Sequence, residues 1–484
     1  MGDVPYNTMA HFCVLQNFTM TFYFESIRMP WATSPTKGIK GKIMADFDKN
    51  YYLPRLRRMI QCETVSKKDS FTPDEFMKLR EVMRELFPLV HKTAEVMYFS
   101  DDCWVYKIEG KNKKENILIM SHHDVVEGDG EWEYPPFACE EHDGKIWGRG
   151  VFDTKTSLFA FFQATEELLD KGFKPECNLW LASSHNEERF GDGIPKAVEY
   201  FKEKGIEFTV VLDEGGAITE PPIDGVKCGK CAMVGVHEKG RFTFKCEASE
   251  KAGYGDMTKP RKKNPVERMT AFINDVQNSD IFTVRINEPV KDMFTYIAPH
   301  LGFPLSLAFS NLKLFSPVIV KVMPKLNPLA KGLISTTCAF TEISGSSISK
   351  KCTATAYFQP VDSGDFEKDK EAFRKKAEEH GIVLTEGDNN EYHEPASITG
   401  KGFSYVKKCI GEIFPDCPVV PYPLPSGGTD ARHLTAVCPA ALRFAPLKIT
   451  NKQMSLVHQA NENLDVSCIE EAVRFYKHFI RNYK

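Results

Sequence analysis

Three short apolar runs limit what this chain can fold into more than any other feature. Asn116–Met120 (NILIM), Asn178–Ala182 (NLWLA) and Phe208–Leu212 (FTVVL) read as short buried strands. Each delivers acidic or imidazole groups at its C-terminal end. The first runs into Ser121-His122-His123-Asp124, the second into His185-Asn186-Glu187-Glu188, and the third into Asp213-Glu214-Gly215-Gly216. In open α/β sheets, ligands bind outside the carboxyl ends of the strands. Random surface charge does not reproduce this arrangement three times.

A fourth stretch, Trp147–Lys155 (WGRGVFDTK), places Asp153 just before a helical pattern of Leu158, Phe159, Phe162, Ala164 and Leu168, closed by Gly172. Further upstream, Thr72-Pro73-Asp74-Glu75 is a helix start, with Phe76, Leu79, Val82, Met83, Leu86 and Phe87 at helical spacing behind it. After Lys239-Gly240 the pattern changes: Phe242, Phe244 and Cys246 alternate with polar residues, as in a half-exposed antiparallel strand. A Pro-, Phe- and Leu-rich segment follows over Pro289–Leu333, then a strand over Thr353–Phe358 and a charged helix over Phe366–His380. The first pattern resumes with a helix near Gly402–Phe414 and an apolar run at Ala440–Phe444. A terminal helix opens with Ser467 and Glu470 in capping-box spacing. The expected organisation is an extension over 1–45, a catalytic domain in two parts (46–238 and 394–484), and an inserted α+β domain over 239–393.

Composition narrows the class. With 42% apolar and 26% charged residues and a net charge of −4, the chain reads as an ordinary globular protein with no electrostatic reason to bind nucleic acid. The basic run Lys259–Lys263 reads as a solvated loop. Met9–Trp31 is rich in Phe and Met but interrupted by Asn17, Glu25 and Arg28, so neither a membrane span nor a signal peptide is expected. Fourteen scattered cysteines form no framework and are expected as free thiols of a cytoplasmic protein. Cys228 and Cys231 form a lone C-x-x-C without a second pair.

The residues at the strand ends suit a two-metal centre. Two zinc ions need nitrogen and oxygen ligands and a shared carboxylate. His122 and Asp213 can serve one ion and Glu188 and His458 the other, with Asp153 between them. Glu187 is then the natural general base. Asp124, two residues after His122, can accept the proton of the ring nitrogen that faces away from the metal.

The chain resembles the di-zinc aminoacylase and carboxypeptidase S family of metallopeptidases, nearest the branch with carboxypeptidase S and the N-fatty-acyl amino acid hydrolase/synthase. The resemblance runs from about Tyr51 to the C-terminus. It rests on SHHDVVEGDGEWEYPPF, GKIWGRGVFDTK, HNEERFGDG, VLDEGGAI, VGVHEKG, SGGTDARH, LRFAPL and VHQANE. It implies a mixed, mostly parallel sheet covered by helices, with an inserted lid that also dimerises. It implies two zinc ions (cobalt or manganese share such ligands), held by His122, Asp153, Glu188, Asp213 and His458, with Asp124 as orienter, Glu187 as base, and a cis peptide after Asp153. The implied reaction is hydrolysis of an amide beside a free carboxylate, in N-acyl amino acids or small peptides. Arg432 is the candidate for gripping that carboxylate, and Gly427 and Gly428 for close approach of backbone to substrate.

The inserted domain departs from the family. Where Gly-His-Ser-Ser-x-Pro is usual, this chain has Gly255-Asp256-Met257-Thr258-Lys259-Pro260, so a carboxylate replaces the oxyanion-stabilising His. No Asn occurs between Ser344 and Cys352, Gln359 stands in place of Arg, and Thr156 in place of Gly. A metal-binding relative with little hydrolytic activity is the alternative this opens.

Overall fold

A computed structural model describes residues 49–67, 73–221, 223, 225–250, 264–326, 328–346, 350–387, 393–424 and 428–484. The expectations for residues 1–45, Thr72, Asp256, Lys259–Lys263 and Gly427 lie outside the described residues.

The three apolar runs are neighbouring strands of one sheet. Its order is Glu95–Phe99, Cys103–Ile108, Cys177–Ser184, Asn112–His122, Val210–Asp213, Ala441–Arg443, Cys231–Glu238 and Val419–Leu424, with Ala217–Thr219 paired to Cys231–Glu238. The central strands Cys177–Ser184, Asn112–His122, Val210–Asp213 and Ala441–Arg443 run parallel. Their pairing sets Ser121 beside Ser183 and His122 beside Ser184, which brings the strand ends into one row. The fold class is α/β, as the runs predict. Parallel strands are apolar on both faces because helices cover both: Cys177–Ser184 and Val210–Asp213 are buried throughout. The helix Lys155–Asp170 is buried nearly all round, and its Phe159, Phe161 and Phe162 lie in the main core beside Phe475, Tyr476 and Phe479 of the terminal helix Ser467–Asn482. Gly172 closes its helix at φ +70°. The terminal helix begins one residue earlier than the capping box requires. Val466 occupies the cap without a side-chain bond, and Ser467 is already helical.

Residues 242–386 supply a second, antiparallel sheet in the order Thr337–Ser346, Lys351–Gln359, Phe242–Ser249 and Val383–Glu386. The helices Pro265–Asn278 and Ser363–Glu379 close its core through Met269, Phe272, Val276, Phe373 and Ala377. The Pro-rich segment does not join that core. Helices Glu288–Ile297, Leu305–Ser310, Leu312–Leu326 and Pro328–Ile334 form a separate cluster with Cys231, Met233 and Val420 of the large sheet. Among the described residues no helix is long and apolar enough to cross a membrane.

Candidate active site

Asp153 is the hub, and one buried carboxylate sets its position. Glu462 is 1% exposed. Its Oε2 accepts from Arg149 Nη1 at 2.8 Å and Gly150 N at 3.2 Å, and its Oε1 from Phe152 N at 2.8 Å and Asp153 N at 3.2 Å. The whole Arg149–Asp153 turn is thereby fixed from one side. Asp153 faces a different imidazole with each oxygen. Oδ1 lies 3.1 Å from His122 Nε2 and Oδ2 lies 2.9 Å from His458 Nε2, which is itself 3.0 Å from Glu188 Oε2. The Asp153–Thr154 peptide is cis, as the resemblance implies.

Asp124 organises the opposite wall. The His122 Nδ1–H donates to the Asp124 carbonyl at 3.0 Å, with the Asp124 carboxylate farther away at 3.4 Å. This aims Nε2 at the centre. The Asp124 carboxylate accepts the backbone N–H of Glu187 at 3.2 Å and of Glu188 at 3.1 Å, so it fixes the two glutamates together. Glu187 Oε2 stands 4.0 Å from His122 Nε2. Burial pushes the Glu187 carboxyl well above the usual range; the His122 ring opposes this, while Asp430, Glu214 and Glu188 add to it. Burial would also raise Asp153, but the bonds from His122 and His458 hold it below the ordinary carboxylate range. Asp153 and Glu188 raise His458 to about 10.

Asp213 and Glu214 share one strand end but face different groups. Asp213 Oδ1 accepts from Glu214 N and Oδ2 from Ala431 N, both at 2.9 Å. Burial, with Asp430 nearby, raises the Asp213 carboxyl to about 7. Burial, with the carboxylates of Asp153, Asp213 and Glu188 nearby, raises the Glu214 carboxyl well above normal, and the His122 ring opposes this.

These residues fit a metal. His122, Asp153 and Glu188 each bring a ligand atom into a cluster whose atoms lie within 4.8 Å of one another. Glu188 Oε1 is buried and has no hydrogen-bond partner. A buried carboxylate oxygen without a donor is costly unless a cation supplies the contact. The donor set is imidazole nitrogen and carboxylate oxygen, the chemistry of zinc and its neighbours.

With this geometry in place, comparisons with known proteins gain meaning. The family model for "Peptidase family M20/M25/M40" matches residues 118–482. The chain belongs to this family. It is a hydrolase of the metal-dependent peptidase and aminoacylase type. The chain is similar to an N-fatty-acyl-amino acid synthase/hydrolase of Xenopus tropicalis, 27% identical over 91% of this chain and 87% of that one. It is also similar to a probable carboxypeptidase S-like protein of Dictyostelium discoideum, 29% identical over 86% of this chain and 80% of that one. The fold is that of an M20 family metallo-carboxypeptidase from Sulfolobus solfataricus, with a TM-score of 0.64 at 17% identity over 89% of this chain and 98% of that one.

The remaining candidate positions among the described residues each have partners within the chain. Arg432 is buried; its Nη1 donates to the Thr429 carbonyl at 2.8 Å and its guanidinium lies 5.0 Å over the Phe190 ring. A Cβ on Gly428 would meet Glu238 Oε2 at 2.7 Å, so the close approach there is to a protein carboxylate. Glu238 in turn accepts from Arg443 Nε at 2.6 Å and Thr429 N at 3.0 Å, and holds the loop before Asp430. Gln359 closes the Lys351–Gln359 strand opposite Thr337.

Reading the residues alone left out Glu462, Glu238 and Glu214. The first two are the terminal acid of VHQANE and the acid of VHEKG. The signal that could have found them is an isolated acid inside an otherwise apolar or Gly-rich motif, paired with an Arg in GRG or LRF.

Proposed function

We propose that this chain hydrolyses the amide bond of N-acyl amino acids or small peptides with a free carboxylate, using two zinc ions. One observation carries the reading: the two oxygens of Asp153 face two different histidines, and the second histidine shares Glu188. A carboxylate with an imidazole at each end is built to bridge. His122 and Glu214 would hold one ion and His458 and Glu188 the other. This revises the assignment of Asp213, both of whose oxygens already accept backbone N–H groups. When bound, the ions polarise the scissile carbonyl and lower the pKa of a water between them.

The chain's own residues do the rest. Glu187 takes a proton from the attacking water and delivers it to the leaving amine nitrogen, a role its raised proton affinity suits. Asp124 keeps the His122 ring turned inward and fixes the Glu187-Glu188 backbone. Arg432, beside the Glu187–Arg189 turn, is the proposed grip for the substrate carboxylate, with Gly428 in the loop before it. His458 is half-exposed, which leaves the cluster open on that side for substrate entry. The similarity to an N-fatty-acyl-amino acid synthase/hydrolase supports an apolar acyl group. The exposed edge strand Thr337–Ser346 supports a homodimer through the second sheet. The free state of every cysteine among the described residues supports a cytoplasmic setting.

The test is a hydrolysis panel of N-acyl amino acids and dipeptides, with metal content measured alongside. Activity should require metal and vanish in Glu187→Ala, while that variant still binds metal. Two metals per chain with no hydrolysis across the panel would overturn the proposal and leave the binding role that Asp256 raises.

A further inference from the structure

Six of the fourteen exposed large apolar residues among the described ones fall in one short segment. Phe303 is 84% exposed, Leu314 72%, Val318 58% and Val322 45%, and Leu305 and Leu307 are exposed with them. All lie in the excursion that packs against the large sheet. In the helix Leu312–Leu326, Phe315, Ile319 and Met323 recur every four residues and face the protein. Leu314, Val318 and Val322 recur at the same spacing and face solvent. A helix that is apolar on the outside as well as the inside has a second partner to meet.

The charge around this face says what the partner is. Lys313, Lys321 and Lys325 form a second outward stripe beside the apolar one. No Asp or Glu stands anywhere between Asp292 and Glu342, in a chain whose acidic residues outnumber its basic ones, 66 to 62. Lys331 and Lys227 are exposed nearby; Lys227 N donates to the His300 carbonyl at the root of the excursion. An apolar stripe flanked by lysines and free of acids is the composition of a segment lying in a membrane interface. A protein partner would call for some acidic complement on this face; apart from Ser310 and Asn311, its exposed residues are lysine and hydrocarbon.

We infer that the outward face of residues 303–325 is a docking surface for an anionic lipid bilayer, with Leu314, Val318 and Val322 entering the headgroup boundary and Lys313, Lys321 and Lys325 meeting lipid phosphates and carboxylates. The inference is independent of the metal-site reading. It concerns binding to a surface and no bond is made or broken.

Vesicle flotation of the full chain tests it, with phosphatidylcholine vesicles lacking or containing phosphatidylserine. The wild type should float with the anionic vesicles and be released by salt. The triple variant Leu314→Gln, Val318→Gln, Val322→Gln should lose more than about tenfold in partitioning. Changing Lys313, Lys321 and Lys325 to Gln should lose about fivefold per lysine. Thermal melting and dipeptide hydrolysis should be unchanged in both, which establishes that the variants fold. Failure of the wild type to float overturns the inference. So does flotation that neither variant weakens, which would assign membrane binding to another part of the chain, and so does flotation that only the lysine variant weakens. A wild-type dimer that the apolar variant converts to monomer, without vesicle binding, would assign the face to a second copy of the chain.

Discussion

At the strand ends of the large sheet, buried charge is tied down by backbone. Glu462 accepts three main-chain N–H groups and an arginine, Asp124 accepts two main-chain N–H groups, and Asp213 accepts two more. On the helix Leu312–Leu326 the exception is of the opposite kind: hydrocarbon stands in water with nothing against it. Both cost folding free energy. In the first region the cost is offset within the chain, by hydrogen bonds that fix the clustered carboxylates and imidazoles. In the second it is left open, for something outside the chain to offset. The difference shows where each region's function points, inward to a reaction centre or outward to a surface.

The largest expected effect breaks the first region. Glu462→Ala leaves Arg149 buried without its partner and frees the Arg149–Asp153 turn. A stability loss of about 3–5 kcal/mol is expected from the orphaned charge, together with a roughly tenfold to hundredfold loss in metal affinity as Asp153 loosens. Chemical denaturation and metal titration measure the two. Wild-type values in both would mean the turn holds itself and Glu462 is incidental.

The two faces of one helix sharpen the contrast. Ile319 lies against the cluster that joins the excursion to the large sheet. Ile319→Ala should cost about 2–5 kcal/mol, whereas Leu314→Gln, about a quarter of a turn round the helix from Phe315, should stay within about 0.5 kcal/mol. Equal costs would mean that Leu314 has a covering partner within the chain.

A third comparison separates neighbours in sequence. Asp213→Asn changes a carboxylate whose two oxygens both accept backbone N–H groups, and should keep both metals with about tenfold to hundredfold weaker binding. Glu214→Gln removes a proposed ligand, and calorimetric titration should then show one zinc bound tightly instead of two. The reverse outcome would return the ligand role to Asp213.

That pair also marks where the sequence stops being readable. The strands were legible because continuous apolar runs of this length are what parallel strands between helix layers require, and their ends located His122, Asp124, Glu187 and Glu188. Choosing between Asp213 and Glu214 depends on which way the chain turns as the strand ends. Successive side chains there point to opposite sides, and a single residue of offset decides. Glu462 and Asp153 are joined across hundreds of residues of chain by a hydrogen bond, and no local pattern encodes such a contact. The excursion hid itself for a different reason. A helix with hydrocarbon on both faces has no contrast to give it a period, so Pro289–Leu333 read as the core of the inserted domain rather than as a layer on the large sheet.

Lys239 lies at the junction of the two regions, and its predicted effect is spread over several pH units. It connects the strand Cys231–Glu238 to the second sheet, and its ammonium donates to the carbonyls of Gly332 and Ser335 at the end of the excursion's last helix. Burial lowers its pKa from 10.5 to about 7. Below pH ~7 both folded and unfolded chains carry the proton and the cost of burying it is fully felt. Between there and the unfolded value the unfolded chain binds the proton that the folded one lacks, so this group's contribution to stability rises with pH, by at most about 1.4 kcal/mol per pH unit. Lys239→Met removes the titration and adds a loss of hydrogen bonds that does not vary with pH. The stability of wild type relative to Lys239→Met should therefore climb from neutral to alkaline pH in urea unfolding experiments. Parallel curves would mean that the ammonium reaches water, and that the excursion is attached to the large sheet more loosely than its buried face implies.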